Sequence, residues 1–166
     1  MRQAEFDGHT DETFIHAEEI LERYPDLPRL IEELHGRGIR FLGYINPFLA
    51  VERELYREAS AKGFCVKDRW GADLMVTITD FPAAMIDLTN PAAREWIKGI
   101  IRENMLGIGL DGWMADYGEY LPPGAVLHSG ESWEQVHNSY PVLWAQVNRE
   151  AVAEARREKD VVFFMR

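Results

Sequence analysis

Short, wholly apolar segments alternate with segments of helical periodicity along most of this chain, and this alternation limits the folds available to it. Strands that are apolar throughout and separated by amphipathic helices are typical of a parallel sheet covered by helices. A further segment, LMVTITD (74–80), alternates polar and apolar residues like a strand or hairpin. The sequence therefore predicts an α/β fold with about four parallel strands, namely IRFLGYINP (39–47), MIDLTNP (85–91), the apolar start of GLDGWMADYGEYLP (109–122) and VVFFM (161–165).

Capping residues and prolines mark the helix boundaries. Asn90 followed by Pro91 predicts a helix start, because an Asn side chain caps free amides and proline suits the first helical turn. Ser132 with Gln135 has the sequence of a capping box, which predicts another helix start. Pro141 should kink or split the helix that follows, because proline lacks the amide that a helix interior needs.

Two architectures fit a parallel sheet covered by helices, an open doubly wound sheet and part of a (β/α)8 barrel. A doubly wound nucleotide site normally carries a glycine-rich turn after a strand, and none is visible here. Asn46, Asp116 and Arg166 each lie at the C-terminal end of a predicted strand, which is the active face of a barrel. A complete barrel takes about 250 residues. The sequence therefore predicts a partial (β/α)8 TIM barrel at 24–166, preceded by a poorly defined segment at 1–23.

Composition excludes several classes of function. The 166-residue chain carries 18 Lys+Arg against 28 Asp+Glu, a net charge of −10, with no basic stripe, so we expect no nucleic-acid partner. No apolar run approaches the roughly 20 residues of a membrane span, and a soluble, cytoplasmic protein without a membrane partner is expected. Cys65 is the single cysteine, and the histidines lack metal-ligand spacing. Neither a metal nor an organic cofactor is predicted.

Asp116 is the strongest candidate for a catalytic group. It ends an apolar strand and is followed by Tyr117, Glu119 and Tyr120. An acid at the mouth of a barrel beside aromatic residues suits glycoside cleavage, in which one carboxylate attacks or stabilises the anomeric centre and another donates a proton. Glu119 lies close in sequence, which favours a supporting role that orients Asp116 over the role of second acid. The alternative for Asp116 is a helix cap or a salt-bridged loop residue.

Four other polar residues have both a structural and a functional interpretation. Asp111 lies at the start of its strand and is predicted to be structural, and structural pairing is also favoured for Asp87. His137 opens a helix in an aromatic setting, where a lone histidine is more often structural than a ligand. Arg166 directly follows an apolar strand, so its guanidinium either pairs with a buried acid or hydrogen-bonds substrate hydroxyls.

Five segments in consistent order resemble glycoside hydrolase family 31, and most of all its bacterial sulfoquinovosidases, over roughly residues 24–166. The segments are GYINPFLA, IDLTNP, GWMADYGEYLP, HNSYPVLWAQVNREA and VVFFMR. The resemblance implies a retaining (β/α)8-barrel α-glycosidase that cleaves 6-sulfo-sugar glycosides by a double displacement with two carboxylates. It implies that Asp116 is the nucleophile, that Glu119 supports it and that Arg166 binds substrate.

The expected partner is a small-molecule α-glycoside, and the candidate substrate-binding residues are Arg166, Asn46, Tyr117 and His137. The acid/base aspartate of the family lies beyond the segment matched by VVFFMR, so the chain alone is expected to be inactive and, as an open piece of barrel, to self-associate. The Arg and Trp that sulfoquinovosidases carry before the segment matched by RYPDLPRLI are replaced by GHTDETFIHAEE (8–19). An ordinary α-glucosidase fragment and an inactive sugar-binding or structural fragment therefore stay open as alternatives.

Overall fold

The computed structural model describes residues 24–78 and 81–166, so the predicted N-terminal segment 1–23 lies outside the described residues. Within them, six strands form two three-stranded sheets with helices packed around them. The strands are β1 (Leu42–Ile45), β2 (Phe48–Ala50), β3 (Met75–Ile78), β4 (Phe81–Met85), β5 (Gly112–Ala115) and β6 (Val162–Met165). The helices are α1 (Leu27–Gly36), α2 (Glu54–Ala61), α3 (Pro91–Ile101) with a π-helical turn after it (Arg102–Leu106), α4 (Trp133–Val136) and α5 (Tyr140–Glu154).

β5 is the central strand of a parallel sheet with the order β1–β5–β6. The register aligns Ile45 of β1 with Ala115 of β5 and Met165 of β6, so the three strands end level with one another. The chain passes through α3 between β1 and β5 and through α5 between β5 and β6, and the two helices pack against each other. Parallel strands joined through helices confirm the predicted α/β class.

The second sheet is antiparallel, with the order β2–β4–β3, and it corrects one strand prediction. The segment 85–91, predicted as a parallel strand, contributes only Met85 to a strand, where it pairs antiparallel with Phe48 of β2. Ile86 and Leu88 are apolar because they are buried in the core. Among the described residues three strands are parallel rather than four. The prediction failed because an apolar run indicates burial but does not indicate the direction of a strand. The antiparallel pairing of β3 with β4 agrees with the predicted hairpin.

The predicted helix starts are confirmed. Asn90 Oδ1 accepts a hydrogen bond from the Ala92 amide at 2.9 Å, and Ser132 with Gln135 forms the capping box of α4. Pro141 splits the predicted helix, because α4 ends before it and α5 begins with the proline in its first turn. Across the described residues we find no helix that combines the length and the apolarity needed to cross a bilayer.

The two faces of the parallel sheet differ in burial. On the helix-covered face, Trp113 is fully buried and its indole nitrogen donates a hydrogen bond to Asn148 Oδ1 of α5 at 2.7 Å. Side chains alternate along a strand, so the even-numbered residues point to the opposite face, which a closed barrel turns inward. We call this the open face, and its exposed apolar residues are Leu42 (52%), Tyr44 (38%), Val162 (67%) and Phe164 (45%).

Asp111, just before β5, anchors the N-terminal end of the sheet, as predicted. Its Oδ2 accepts a hydrogen bond from the Phe41 amide at 2.8 Å and lies 2.7 Å from His35 Nε2, while Oδ1 accepts from Arg40 at 2.7 Å. Burial alone would raise the pKa of Asp111, but the hydrogen bonds from Phe41, Arg40 and His35 outweigh burial and lower this pKa. The carboxylate therefore stabilises the fold in its charged form.

Gly112→Ala should destabilise the chain. A Cβ at this position would lie 1.8 Å from the carbonyl oxygen of Val162, and φ is +158°, so β5 and β6 would have to separate. We expect a loss of about 2 kcal/mol or more in the free energy of unfolding, measured by urea titration of tryptophan fluorescence. Gly36→Ala is the matched control, since its Cβ meets nothing within 4 Å, and it should be neutral or stabilise by up to about 1 kcal/mol. Equal stability of the two variants would contradict this account of β5.

Asp111→Asn should lower stability at neutral pH by about 1.5–3 kcal/mol, the range for hydrogen bonds to a charged group. Because the folded-state pKa of Asp111 is lowered, its contribution is complete above the unfolded pKa of about 4 and is lost as the pH falls through the lower folded pKa. The difference between wild type and variant should therefore shrink below about pH 4. Asp160→Asn is the control, because Asp160 is 60% exposed and lies 3.6 Å from Arg157, and it should change little. A difference independent of pH would refute the electrostatic explanation.

Candidate active site

The three polar residues predicted at strand ends converge at one edge of the parallel sheet. Asn46, Asp116 and Arg166 directly follow β1, β5 and β6, whose last residues are in register. The Asp116 amide donates to the Ile45 carbonyl at 2.9 Å, and the Arg166 amide donates to the Ala115 carbonyl at 3.2 Å. The backbone ladder thus continues one residue beyond the strands and fixes where these side chains begin.

The carboxylate of Asp116 is buried and held by three donors. Oδ2 accepts hydrogen bonds from the Tyr44 hydroxyl at 2.8 Å and from Arg166 Nη1 at 3.1 Å. Oδ1 accepts from the Tyr117 amide at 3.0 Å. Tyr117 adopts a left-handed backbone conformation with φ of 57°, which is uncommon outside glycine and turns the chain sharply after the acid. Asp116 is therefore presented in a fixed orientation at the end of its strand.

Tyr44 is a site residue that the sequence reasoning missed. It lies on β1 two residues before Asn46, and burial, together with its hydrogen bond to Asp116, raises the pKa of the Tyr44 phenol well above 10. A hydrogen bond with Asn46 acts on this pKa in the opposite direction. The period of two along a strand is the signal that could have revealed it, since Tyr44 and Asn46 necessarily share a face.

Asn46 contributes to the site through the backbone turn as well as through Tyr44. Its side chain is buried, and Oδ1 accepts a hydrogen bond from the Phe48 amide at 3.0 Å. This bond closes a short turn between β1 and β2. The structure therefore places Asn46 beside Tyr44 and not in direct hydrogen-bond contact with Asp116.

Glu119 and Tyr117 belong to the loop after Asp116 but differ in their contacts. Glu119 is exposed, and the donors to Asp116 are Tyr44, Arg166 and the Tyr117 amide. Glu119 is therefore linked to Asp116 through the loop that both residues share, and not through a hydrogen bond to its carboxylate. The Tyr117 ring, in contrast, packs at the site against Tyr120, with ring centres 4.9 Å apart.

The hydrogen-bond partner of His137 is a backbone carbonyl and not the Asp116 carboxylate. Its Nδ1 is 3.2 Å from the Leu121 carbonyl oxygen, and its ring meets Trp133 edge to face at 5.7 Å. These contacts tie the loop after Asp116 to α4. The structure thus gives His137 the structural arrangement that a lone histidine usually has.

Two further buried groups have structural arrangements. Asp87 accepts hydrogen bonds from the amide and hydroxyl of Thr89 and from the His128 amide, which agrees with the pairing favoured from sequence. The Cys65 thiol is buried, and burial raises its pKa to about 12, which makes it a poor nucleophile. Among the described residues no group of three or more His, Cys, Asp or Glu side chains is placed to hold a metal ion.

Several known proteins are similar to this chain in sequence and in fold. The model of the TIM-barrel domain of glycosyl hydrolases family 31 matches residues 10–166. A sulfoquinovosidase of Escherichia coli (strain K12) is 44% identical over 145 residues, which are 87% of this chain and 21% of that protein. An α-xylosidase of Lactiplantibacillus pentosus is 30% identical over 87% of this chain and 19% of its own length.

A solved structure shows the same relationship in three dimensions. A family-31 sulfoquinovosidase from E. rectale, in complex with an aza-sugar inhibitor, superimposes with a TM-score of 0.84 at 52% identity. The match covers 88% of this chain and 22% of that one. This chain therefore spans about a fifth of the length of the relatives it matches. The sequence match and the superposition together show that the chain belongs to glycosyl hydrolases family 31, to its TIM-barrel domain, and that it is similar to sulfoquinovosidases of that family.

Proposed function

We propose that this chain forms the nucleophile-bearing part of a retaining α-glycosidase that acts on sulfoquinovosides. The observation that carries the proposal is the Asp116 carboxylate, buried at the C-terminal end of β5 and held by Tyr44 and Arg166. That end of the strands is where barrel enzymes build their active sites. The 44% identity to a sulfoquinovosidase supports the choice of substrate.

In this proposal Asp116 attacks the anomeric carbon and forms a glycosyl-enzyme, which water then hydrolyses. Tyr44 and Arg166 both donate to Oδ2, so they orient the carboxylate, and Arg166, which is 70% exposed, is free on its outer side to bind sugar hydroxyls. Tyr117 contributes a wall of the substrate site, and Asn46 positions Tyr44. Glu119 supports Asp116 through their shared loop, and His137 keeps that loop against α4.

The reaction also needs an acid that protonates the leaving oxygen. Of the acids buried among the described residues, Asp87 and Asp111 are engaged in structural hydrogen bonds, so neither is assigned as the proton donor.

We also place the protein in a reducing compartment such as the cytoplasm, because Cys65 is the single cysteine of the sequence and forms no disulfide within the chain.

The 166-residue chain alone should hydrolyse neither a chromogenic α-sulfoquinovoside nor the matching α-glucoside at an enzymatic rate. General acid–base assistance typically contributes about 10²- to 10⁴-fold, and the described residues place no free buried acid beside Asp116. The measurement is release of the chromophore by the purified chain. Turnover that Asp116→Asn abolishes would contradict this expectation and would make Glu119 or Asp87 the acid to test next.

A chimera tests the proposed function directly. The 145-residue segment matched in the Escherichia coli sulfoquinovosidase is replaced by the corresponding segment of this chain, and both glycosides are assayed. The chimera should prefer the sulfoquinovoside, and Asp116→Asn should reduce kcat by at least about 10⁴-fold, as loss of a nucleophile does. Glu119→Gln should cost far less, and Asp160→Asn should leave the rate unchanged.

The same assay separates the alternatives. A preference for the glucoside would overturn the choice of substrate and favour an ordinary α-glucosidase. A chimera that unfolds cooperatively on heating but hydrolyses neither glycoside would favour an inactive sugar-binding or structural piece.

The isolated chain should self-associate through the open face. Val162 and Phe164 are exposed by 67% and 45% on β6, which is an edge of the sheet, and an apolar edge strand is an aggregation site. Val162→Lys should therefore reduce the mass measured by light scattering at neutral pH. Val142→Lys is the matched control, because Val142 is 55% exposed on α5 and should have little effect. A monodisperse monomer for the unmodified chain would refute the prediction.

A further inference from the structure

The turn that follows Asp116 has a strained backbone. Tyr117 has a φ of 57°, a left-handed conformation that costs free energy for a residue with a bulky side chain. Such a conformation persists only where the surrounding structure holds it in place. The Tyr117 amide donates a hydrogen bond to Asp116 Oδ1 at 3.0 Å. The contacts that hold this turn therefore also hold the acid.

One of these contacts comes from α5, which lies behind the turn. Gly118 is buried, and a Cβ on it would lie 3.2 Å from Trp144 Cδ1 and 3.3 Å from Pro141 Cα. Both distances are shorter than an ordinary van der Waals contact. Pro141 and Trp144 are three residues apart, so they share one face of α5. The backbone of the turn therefore packs directly against α5, with no room for a side chain between them.

Trp144 is buried in a way that stability alone does not explain. Its side chain is fully buried, and its indole nitrogen has no hydrogen-bond partner among the described residues. A buried donor without an acceptor costs free energy, and a phenylalanine would fill much of the same volume without that cost. Proteins break such rules mainly at functional sites. Cδ1, the carbon bonded to this nitrogen, is the atom that meets Gly118, so the indole adds its extra edge beneath the turn.

Trp113 provides a comparison within the same structure. It is as fully buried as Trp144, but its indole nitrogen donates to Asn148 Oδ1 at 2.7 Å. Asn148 in turn donates from Nδ2 to the Trp144 carbonyl at 2.8 Å. The hydrogen bond of Trp113 thus stabilises the packing of β5 on α5. The two tryptophans share residue type and burial, and they differ in the hydrogen bond and in the contact with the turn.

We propose that Trp144 is a positioning residue for the nucleophile. With Pro141, it supports the backbone at Gly118 and so keeps Tyr117 in its left-handed conformation. The Tyr117 amide then stays on Asp116 Oδ1, and the carboxylate keeps the orientation needed for attack. This role rests on the proposed function, because it takes Asp116 as the nucleophile. Loss of the support should slow the attack and leave binding of the glycoside nearly unchanged.

The kinetic test uses the chimera with the Escherichia coli sulfoquinovosidase. Gly118→Ala places a Cβ against Trp144 and Pro141, and Trp144→Phe removes the ring edge beneath the turn. Each should lower kcat by about 10- to 100-fold, because a small misplacement of a reacting group is costly. KM should change little, since orientation of the nucleophile matters mainly in the transition state. Gly36→Ala is the matched control, because its Cβ meets nothing within 4 Å, and it should change neither constant.

A comparison of the two tryptophans separates positioning from stability. Trp113→Phe leaves the buried Asn148 Oδ1 without its donor, so it should lower the midpoint of thermal unfolding more than Trp144→Phe does. For kcat the order should be reversed, with the larger loss for Trp144→Phe. A larger effect of Trp113→Phe on both quantities would overturn the proposal, because a role in stability alone predicts that result.

Hydrogen exchange of the Tyr117 amide, measured by mass spectrometry on the 166-residue chain, needs no activity. This amide should lose protection in Gly118→Ala and in Trp144→Phe, as in Asp116→Ala, and should keep it in Gly36→Ala. Unchanged protection in both of the first two variants would overturn the positioning role.

The outcomes also distinguish this role from the proposed function. An active chimera that depends on Asp116, but whose kcat neither Gly118→Ala nor Trp144→Phe changes, would overturn the positioning role and uphold the nucleophile. A chimera that hydrolyses neither glycoside would overturn the proposed function. The exchange of the Tyr117 amide would then decide by itself whether Trp144 positions Asp116.

Discussion

The pairing of β5 with a parallel strand on each side is the constraint on which the candidate site depends. The hydrogen bonds from the Asp116 amide to Ile45 and from the Arg166 amide to Ala115 continue this pairing beyond the strands. Because side chains alternate along a strand, the register places Asp116 and Arg166 on one face, where their side chains meet at 3.1 Å. A slip of one residue would turn Asp116 toward the helices. The backbone pairing therefore determines which side chains meet at the site.

The two ends of β5 show why the geometry of a carboxylate alone does not identify a catalytic residue. Asp111 and Asp116 are both buried, and each accepts from an arginine, from a backbone amide and from one further side chain. Their positions differ. Asp111 joins the start of β5 to the segment that leads into β1, whereas Asp116 lies at the C-terminal end, where loops of a barrel form a concave surface. The aromatic residues after Asp116 build such a surface, and the partners of Asp111 do not.

Sequence reasoning succeeded where a single local rule decides the outcome. Asp116 and Arg166 could be placed together because both directly follow apolar strands, and Pro141 had to interrupt a helix because it lacks an amide. It failed where contacts between segments distant in sequence determined the structure. Met85 joins an antiparallel sheet through its pairing with Phe48, which no local pattern records. The hydrogen bond from Tyr44 to Asp116 spans two strands distant in sequence, so it becomes visible only once the register is known.

The open face and the candidate site are one continuous surface, and this links stability to chemistry. Along β1 and β6 the same alternation that exposes Tyr44 and Phe164 brings Asn46 and Arg166 to the sheet edge two residues later. Arg166 is 70% exposed although its partner, Asp116, is almost fully buried, so water screens one side of their ion pair. Covering the open face would remove that water and strengthen the hydrogen bonds to Asp116, because electrostatic interactions grow as the local dielectric constant falls. The contacts that orient Asp116 therefore lie within this chain. The strength of the electrostatic interactions of Asp116 depends, in contrast, on what packs against the open face.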